Sequence, residues 1–346
     1  MPARDLFREF GARGLLGLER DPVWGGQGLG FGFTRMLASE LGSLDCGGVA
    51  MSVTSHTDMC TPAIAAHGDD VLKERYLRPA IAGAAIGAIA LTEPSGGSDY
   101  ASLATWIRPA PGGFLVTGHK AYITNATIAD FFVVLCRSSE SAEISQALTM
   151  VVVPADAAGV KTTPYLDKLG NRCCDHGAVS FGDCGVPASH VIGEMGLGYG
   201  IQAEQFIRER LVSGIVAAAQ ARRLLGRAVS YARERAAFGR SLAEHQAISD
   251  ALADIEARIT MLEALFDRCE AAMDSDSAEL GKHSLIGKLH GAVLWNQAAD
   301  LLMQVQAGRG YLVDRSTQRA YRDARAASIA GGTQQTLSRS LAGYLT

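Results

Sequence analysis

Apolar positions along this chain change their spacing twice. Up to about residue 88 they recur at three- and four-residue intervals between glycine-rich breaks, as in DDVLKERYLRPAIAG, and that period predicts helices. From about 89 to 197 they gather into short runs bounded by turn residues, FLVTG, FFVVLC, ALTMVVV and GAVSF. Their alternation and β-branching predict strands, and Pro111-Gly112-Gly113 between two apolar runs predicts a hairpin turn. From 198 to 346 long Ala-, Leu-, Gln- and Arg-rich segments run on without a proline, as in a helical bundle. The expected fold class is therefore α+β and mostly helical: an N-terminal helical domain (1–88), a middle β-barrel-like domain (89–197) and a C-terminal four-helix bundle (198–346). At the start, Leu6, Phe10, Leu15 and Leu16 fall between charges and predict a short amphipathic helix.

Composition narrows the class. A chain of 346 residues exceeds what one core holds, roughly 250 to 300 residues. A net charge of -4 without a basic stripe argues against nucleic-acid binding. No run of about 18 apolar residues predicts a membrane span, and the first residues lack the apolar core and cleavage site of a signal peptide, so a cytoplasmic protein is expected. Seven cysteines are scattered without a CxxC pair, and buried free thiols are the expectation. The adjacent Cys173 and Cys174, near Arg172 and His176, are the one candidate for a reactive thiol. Eight histidines form no HExxH cluster, so no metal site is expected. Neither a GxGxxG turn after a strand nor a GxxxxGK[ST] loop is present. The glycines of Gly25 to Gly32 lie between helical segments and are read as a loop that lets helices approach closely.

Four segments carry the candidate chemistry. LTEPSGGSD (Leu91 to Asp99) combines hydroxyls with closely spaced amides and small residues, which suits close backbone approach to a polar ring. GHKAYITNATIADFF (Gly118 to Phe132), RERAAFGRSLAEHQAISDALADI (Arg233 to Ile255) and QVQAGRGYL (Gln304 to Leu312) followed by RDARAASIAGGTQQ come next in order. Together these collinear segments resemble the acyl-CoA dehydrogenase family over nearly the whole chain. The resemblance implies tightly held FAD. It places Leu91 and Thr92 at the pyrimidine side of the flavin, Ser98 near cofactor phosphate or the thioester carrier, Tyr122 against the ring and Thr124 near flavin N5. Tyr122 stands where the family usually has Trp. Arg235 would meet the pyrophosphate of a neighbouring subunit's FAD, a role that suits a guanidinium, and Phe238 would pack on its adenosine part. Ala237 replaces a common hydroxyl residue. Gln304, Gly308, Thr333 and Gln335 match further FAD contacts. A homodimer or homotetramer is implied, and relative to the family the chain is expected to start one or two helices late.

The resemblance also poses a problem, because Gly331 occupies a position where many members carry the catalytic glutamate. Removing the α-proton of a thioester needs a base, and glycine offers only its backbone N–H, which can still polarise the thioester oxygen. Glu209 in FIRERLVSGIV is the candidate replacement, since the branch resembling isovaleryl-, long-chain and citronellyl-type enzymes carries its base on this helix, just before an Arg, here Arg210. The residues support this independently: Phe206, Val212 and Val216 lie three or seven positions from Glu209, so its face of a helix is apolar and burial would raise its pKa. A carboxylate held structurally by Arg208 or Arg210 is the bland alternative. HTDMCTPAIA (His56 to Ala65) is expected to line the acyl pocket, with Phe206 and Arg210 toward the substrate.

The expected function is dehydrogenation of an acyl-CoA or acyl carrier protein thioester, with electrons leaving to an electron-transfer flavoprotein or similar acceptor. Two alternatives stay open: γ,δ-desaturation of a short enoyl thioester as in polyketide-pathway relatives, and a flavin-binding scaffold without activity.

Overall fold

A computed structural model describes residues 3–141, 143–165, 167–273, 278–313 and 316–345. Helices come first: α1 (Ala3–Ala12), α2 (Phe31–Ser43), α3 (Gly47–Thr54), α4 (Thr61–His67), α5 (Asp70–Leu72) and α6 (Arg78–Ile81), with π-helical turns at Ser55–Cys60 and Lys73–Leu77. Strands follow: β1 (Gly87–Ala90), β2 (Trp106–Ala110), β3 (Gly113–Thr124) and β4 (Phe131–Arg137), then the short α7 (Ile144–Ala147), then β5 (Leu148–Pro154), β6 (Val160–Pro164) and β7 (His176–Pro187). The remainder is α8 (Gly198–Glu234), a hairpin of β8 (Ala236–Ala237) and β9 (Arg240–Ser241), and helices α9 (Gln246–Ala271), α10 (Ala278–Gln306), α11 (Gly308–Tyr311), α12 (Ser316–Ala327) and α13 (Gln334–Ala342). This is the expected succession of helices, sheet and helices. The chain forms two compact units, residues 1–34, 51–168 and 174–208 in the first, and 35–50, 169–173 and 209–346 in the second.

The first unit is organised by a seven-stranded sheet in the order β1-β4-β2-β3-β7-β6, with β5 added on β4. The hairpin between β2 and β3 turns where the Pro-Gly-Gly sequence predicts it, pairing Ala110 with Gly113. β4 explains the core. Phe131, Val133 and Leu135 enter one hydrophobic cluster and Phe132, Val134 and Cys136 the other, so its uninterrupted apolar run is what a strand buried on both faces requires. β3 pairs with β7 through irregularities between Val116 and Gly118 and between Lys120 and Ile123; such bulges re-aim side chains. Among the preceding helices, the buried residue of α1 is Phe7, packed edge-on to His56 with ring centroids 5.1 Å apart. Leu6 and Phe10, expected to face inward, are only partly buried and Leu16 is buried, so the inward stripe is turned by one residue. The glycine-rich loop folds closely on its own backbone: a Cβ on Gly26 would lie 2.0 Å from the carbonyl oxygen of Arg20.

The second unit is built from helices. Leu252, Ile255, Ile259, Leu262 and Phe266 of α9 form its inward stripe at helical spacing. α8 and α10 touch backbone to backbone, since a Cβ on Gly214 would meet the Gly287 carbonyl oxygen at 2.8 Å and one on Gly291 the Gly214 oxygen at 2.9 Å. The expectation of free thiols needs correction at two positions, because Cys46 and Cys173 are joined by a disulfide across 127 residues of sequence. The physical reason is Asp323, whose carboxylate accepts from the Gly47 amide at 3.3 Å and the Asn171 amide at 2.6 Å and so draws both cysteine-bearing segments together. Cys60, Cys136, Cys174, Cys184 and Cys269 are free and buried. Cys174 is no reactive thiol, since burial pushes its pKa up to about 12.

Candidate functional site

The segment that follows β1 is held by a buried ion pair. Glu93, 3% exposed, meets Lys120, 0% exposed, at 2.9 Å. The same carboxylate accepts from the amides of Ala104 at 2.7 Å and Thr105 at 2.9 Å, and the Lys120 ammonium donates to the Leu91 carbonyl at 2.9 Å. Burial opposes the Glu93 charge, yet Lys120 and the amides outweigh it and hold the carboxyl below its usual range. With Ala121 N donating to Thr92 O at 2.9 Å, the first two candidate segments are clamped to one another. Leu91 and Thr92 are partly buried and Ser98 is exposed. Gly97 lies against Thr92, whose side chain a Cβ there would meet at 3.0 Å, so a larger residue would have to push the threonine aside.

On β3 the bulge turns Tyr122 outward: it has φ 59 and is 68% exposed, with its ring 5.6 Å from that of Tyr165. Thr124 sits at the end of a polar chain. Lys168 Nζ lies 2.8 Å from His176 Nδ1, and an ammonium can only donate, so Nδ1 accepts and the ring proton is on Nε2. Nε2 is 3.2 Å from Thr124 Oγ1 and donates to it, which leaves the Thr124 hydroxyl hydrogen to point elsewhere as a donor. Burial, reinforced by Lys168, lowers the His176 pKa and keeps the ring neutral, as this tautomer requires. Tyr100, just past Ser98, stacks on Phe206 of α8 at 6.2 Å and meets Tyr199 edge-on, which anchors the end of the Leu91–Asp99 loop to the start of that helix.

Further along α8, Glu209 is buried at 6% exposure, with Val212 and Val216 buried on the same face. Facing it from α10 is Lys288, 3% exposed, whose ammonium donates to the Ala327 carbonyl at 2.6 Å. Burial pushes the Lys288 pKa down to about 8, and the charge of Glu209 pulls it back up. Gly331 has φ +66, and a Cβ there would lie 3.4 Å from both Glu209 Oε1 and Lys288 Cε. The position without a side chain is thus the point on which the carboxylate and the lysine converge. Arg210 is partly buried and follows Glu209, about 100° around the helix.

Other predicted residues lie on the surface of the second unit. Arg235 and Phe238 flank the β8–β9 hairpin, Arg235 exposed and Phe238 at 96% exposure with φ 54. Gln304 is exposed near the end of α10, Gly308 begins α11 and Gln335 is exposed in the first turn of α13. Thr333 acts locally, its hydroxyl capping α13 by accepting from Thr336 N at 3.2 Å. Sequence reasoning missed Glu93, Lys120, His176 and Lys288. A signal existed for the first two, a Glu and a Lys inside the candidate segments, and for Lys288, one ammonium in the apolar run SLIGKLHGAVLW. Among the described residues no helix is long and apolar enough to cross a membrane, and no three His, Cys, Asp or Glu are grouped to hold a metal.

Comparison with known proteins identifies the family of the domains. Domain models of the acyl-CoA dehydrogenases match end to end: the N-terminal domain over residues 1–84, the middle domain over 88–184 and the C-terminal domain over 196–345. The chain is 33% identical to benzylmalonyl-CoA dehydrogenase of Aromatoleum aromaticum, covering 96% of this chain and 87% of the relative. It is 31% identical to mitochondrial isovaleryl-CoA dehydrogenase of Oryza sativa, covering 96% and 80%. The crystal structure of acyl-CoA dehydrogenase from Geobacillus kaustophilus superposes with TM-score 0.93 at 28% identity, over 100% of this chain and 90% of that one. That of a prolyl acyl carrier protein oxidase does so with TM-score 0.93 at 25% identity, over 99% and 90%.

Proposed function

The chain belongs to the acyl-CoA dehydrogenase family, and we propose that Glu209 is the base with which it takes the α-proton of an acyl thioester. The reaction breaks two C–H bonds: the α-hydrogen leaves as a proton, the β-hydrogen as a hydride, and the electron pair left at Cα forms the double bond. One observation carries the assignment. A buried carboxylate and the stem of a buried lysine meet at Gly331, where the missing side chain leaves room for the carboxylate supplied by α8. A carboxylate taken from water into an apolar face is a stronger base than a solvated one. The Gly331 amide is proposed to donate to the thioester oxygen as charge develops there, for which a backbone N–H suffices.

The residues present fit FAD. The outward Tyr122 offers a flat apolar surface, Thr124 is fixed as a hydrogen-bond donor by His176, and Leu91, Thr92 and Ser98 belong to a loop clamped by Glu93 and Lys120. FAD, when bound, supplies the acceptor for the hydride equivalent leaving the β-carbon. The exposed Arg235 and Phe238 are proposed to reach the FAD of a second copy of the chain, with Gln304, Gly308, Thr333 and Gln335 as further contacts; an aromatic ring at 96% exposure supports a partner there. The protein is then at least a dimer. Phe206 and Arg210 are assigned to the substrate side of α8, and electrons pass onward to an electron-transfer flavoprotein or similar acceptor. The curated relatives act, by name, on CoA thioesters, and this carrier is preferred over acyl carrier protein.

Anaerobic bleaching of the bound flavin by saturated C4 to C10 thioesters, on CoA and on carrier protein, tests the reading in wild type and Glu209→Gln. Bleaching by at least one CoA thioester, lost in the variant while FAD stays bound, is expected. Full bleaching in the variant would remove Glu209 from the role, and no bleaching of wild type by any thioester would remove the substrate class.

A further inference from the structure

We propose that Lys288 is a positioning residue for proton transfer: its ammonium is the counter-charge that keeps the buried Glu209 carboxylate ionised, and so able to accept a proton, before substrate arrives. The inference rests on Glu209 being the base. Three features carry it. First, the fold brings α8 and α10 into backbone contact through Gly214, Gly287 and Gly291, which holds residue 288 close to α8, within reach of the Glu209 charge. Second, the Lys288 stem is directed by the Ala327 carbonyl, to which Nζ donates at 2.6 Å, so the ammonium cannot retreat to solvent. Third, Lys288 Cε and Glu209 Oε1 converge on the space beside Gly331 from opposite helices, each 3.4 Å from where its Cβ would lie.

The two groups depend on each other. An isolated carboxylate at this burial takes up a proton and ceases to be a base. An isolated ammonium there sheds one. With burial lowering the Lys288 pKa to about 8 against the pull of Glu209, the lysine is still mainly charged at neutral pH.

Charged groups also lie on the surrounding elements. Arg208, the preceding residue on α8, is paired with Glu19, and Arg210 follows Glu209 about 100° further around the helix. α12 contributes the carbonyl of Ala327 and the buried Asp323, which is committed to the amides of Gly47 and Asn171. The start of α13 contributes Thr333 and Gln334, which carry no charge.

The test uses the holoenzyme and follows the carboxyl state of Glu209 directly, as the protonated-carboxyl infrared band that is present in the parent and absent after Glu209→Gln, between pH 5 and 10. In Lys288→Met the midpoint of this band is expected to move up by about one pH unit or more relative to wild type. The acid limb of kcat/KM for flavin reduction by an accepted CoA thioester should move with it, so activity falls at pH 6 and returns at pH 9. Lys288→Arg keeps the charge and should restore most of the wild-type midpoint. A merely structural lysine would lower activity at every pH and leave both midpoints in place, which overturns the proposal. Failure of the base assignment reads differently: Glu209→Gln would stay active whether or not Lys288 shifts the band.

Discussion

Among the described residues, each unit of this protein buries a Glu–Lys pair, and the two pairs differ in what surrounds the carboxylate. Glu93 and Lys120 lie within the segments they fasten, and the carboxylate is further held by the Ala104 and Thr105 amides. Its pKa is pulled down, so the charge is locked and the loop from Leu91 to Asp99 is pinned. Glu209 and Lys288 are presented by two helices that touch through glycine, and the lysine is poised at about 8, close to ambient pH. Wrapping a carboxylate in backbone donors makes it a poor base. Facing it with one titratable ammonium leaves it a proton to gain. The same two residue types thus give a rivet in one unit and the proposed proton acceptor in the other, and the surrounding donors decide which.

Exchanging the perturbations should separate these roles. Glu209→Gln is expected to slow flavin reduction by about 10² to 10⁴-fold, the usual contribution of a general base, while FAD stays bound at full stoichiometry. Glu93→Gln should do the reverse: leaving Lys120 buried without its counter-charge costs about 3 to 5 kcal/mol, and FAD content falls with the loop. Denaturant unfolding and flavin stoichiometry measured on both variants check this. Equal loss of stability in the two would erase the contrast.

A smaller effect is expected from pH. The folded-state pKa of Lys288, about 8, lies below the ordinary 10.5. Between those values the unfolded chain binds more protons than the folded one, so stability rises with pH across that window, by about 3 kcal/mol in full. Below about 8 the penalty for burying the ammonium is fully present. Lys288→Met removes that group, so the difference in unfolding free energy between variant and wild type should shrink as pH is raised from 8 to 10. A difference independent of pH would mean that the lysine does not titrate there.

Much of the architecture was legible because it is local. The apolar run of β4 and the Pro111-Gly112-Gly113 turn declare themselves within a few residues, and the apolar face that buries Glu209 is written in one helical period. What was illegible depends on chain crossings. Cys46 and Cys173 meet only because Asp323 gathers two distant amides. Lys288 looks like an interruption of an apolar run until Gly214 and Gly287 bring α8 against α10. The inward phase of α1 is ambiguous in sequence because Leu6 and Phe10 are as apolar as Phe7, and only packing against His56 settles it.

The smallest expected effect asks whether the Glu209–Lys288 site is shaped by its backbone or merely by lack of bulk. Gly331→Ala adds a Cβ at ordinary contact distance, 3.4 Å from both side chains, so space alone predicts almost no cost. Its φ of +66 predicts otherwise, since a left-handed conformation costs a residue with Cβ about 1 to 2 kcal/mol. Gly331→Asn carries more bulk but tolerates that conformation better, so the two influences are opposed in a single pair of variants. If conformation governs, alanine destabilises by the full amount and asparagine by less, as read from denaturant midpoints at constant slope. If bulk governs, the order inverts, and the tight turn that admits the α8 carboxylate would be a consequence of the pair rather than its support.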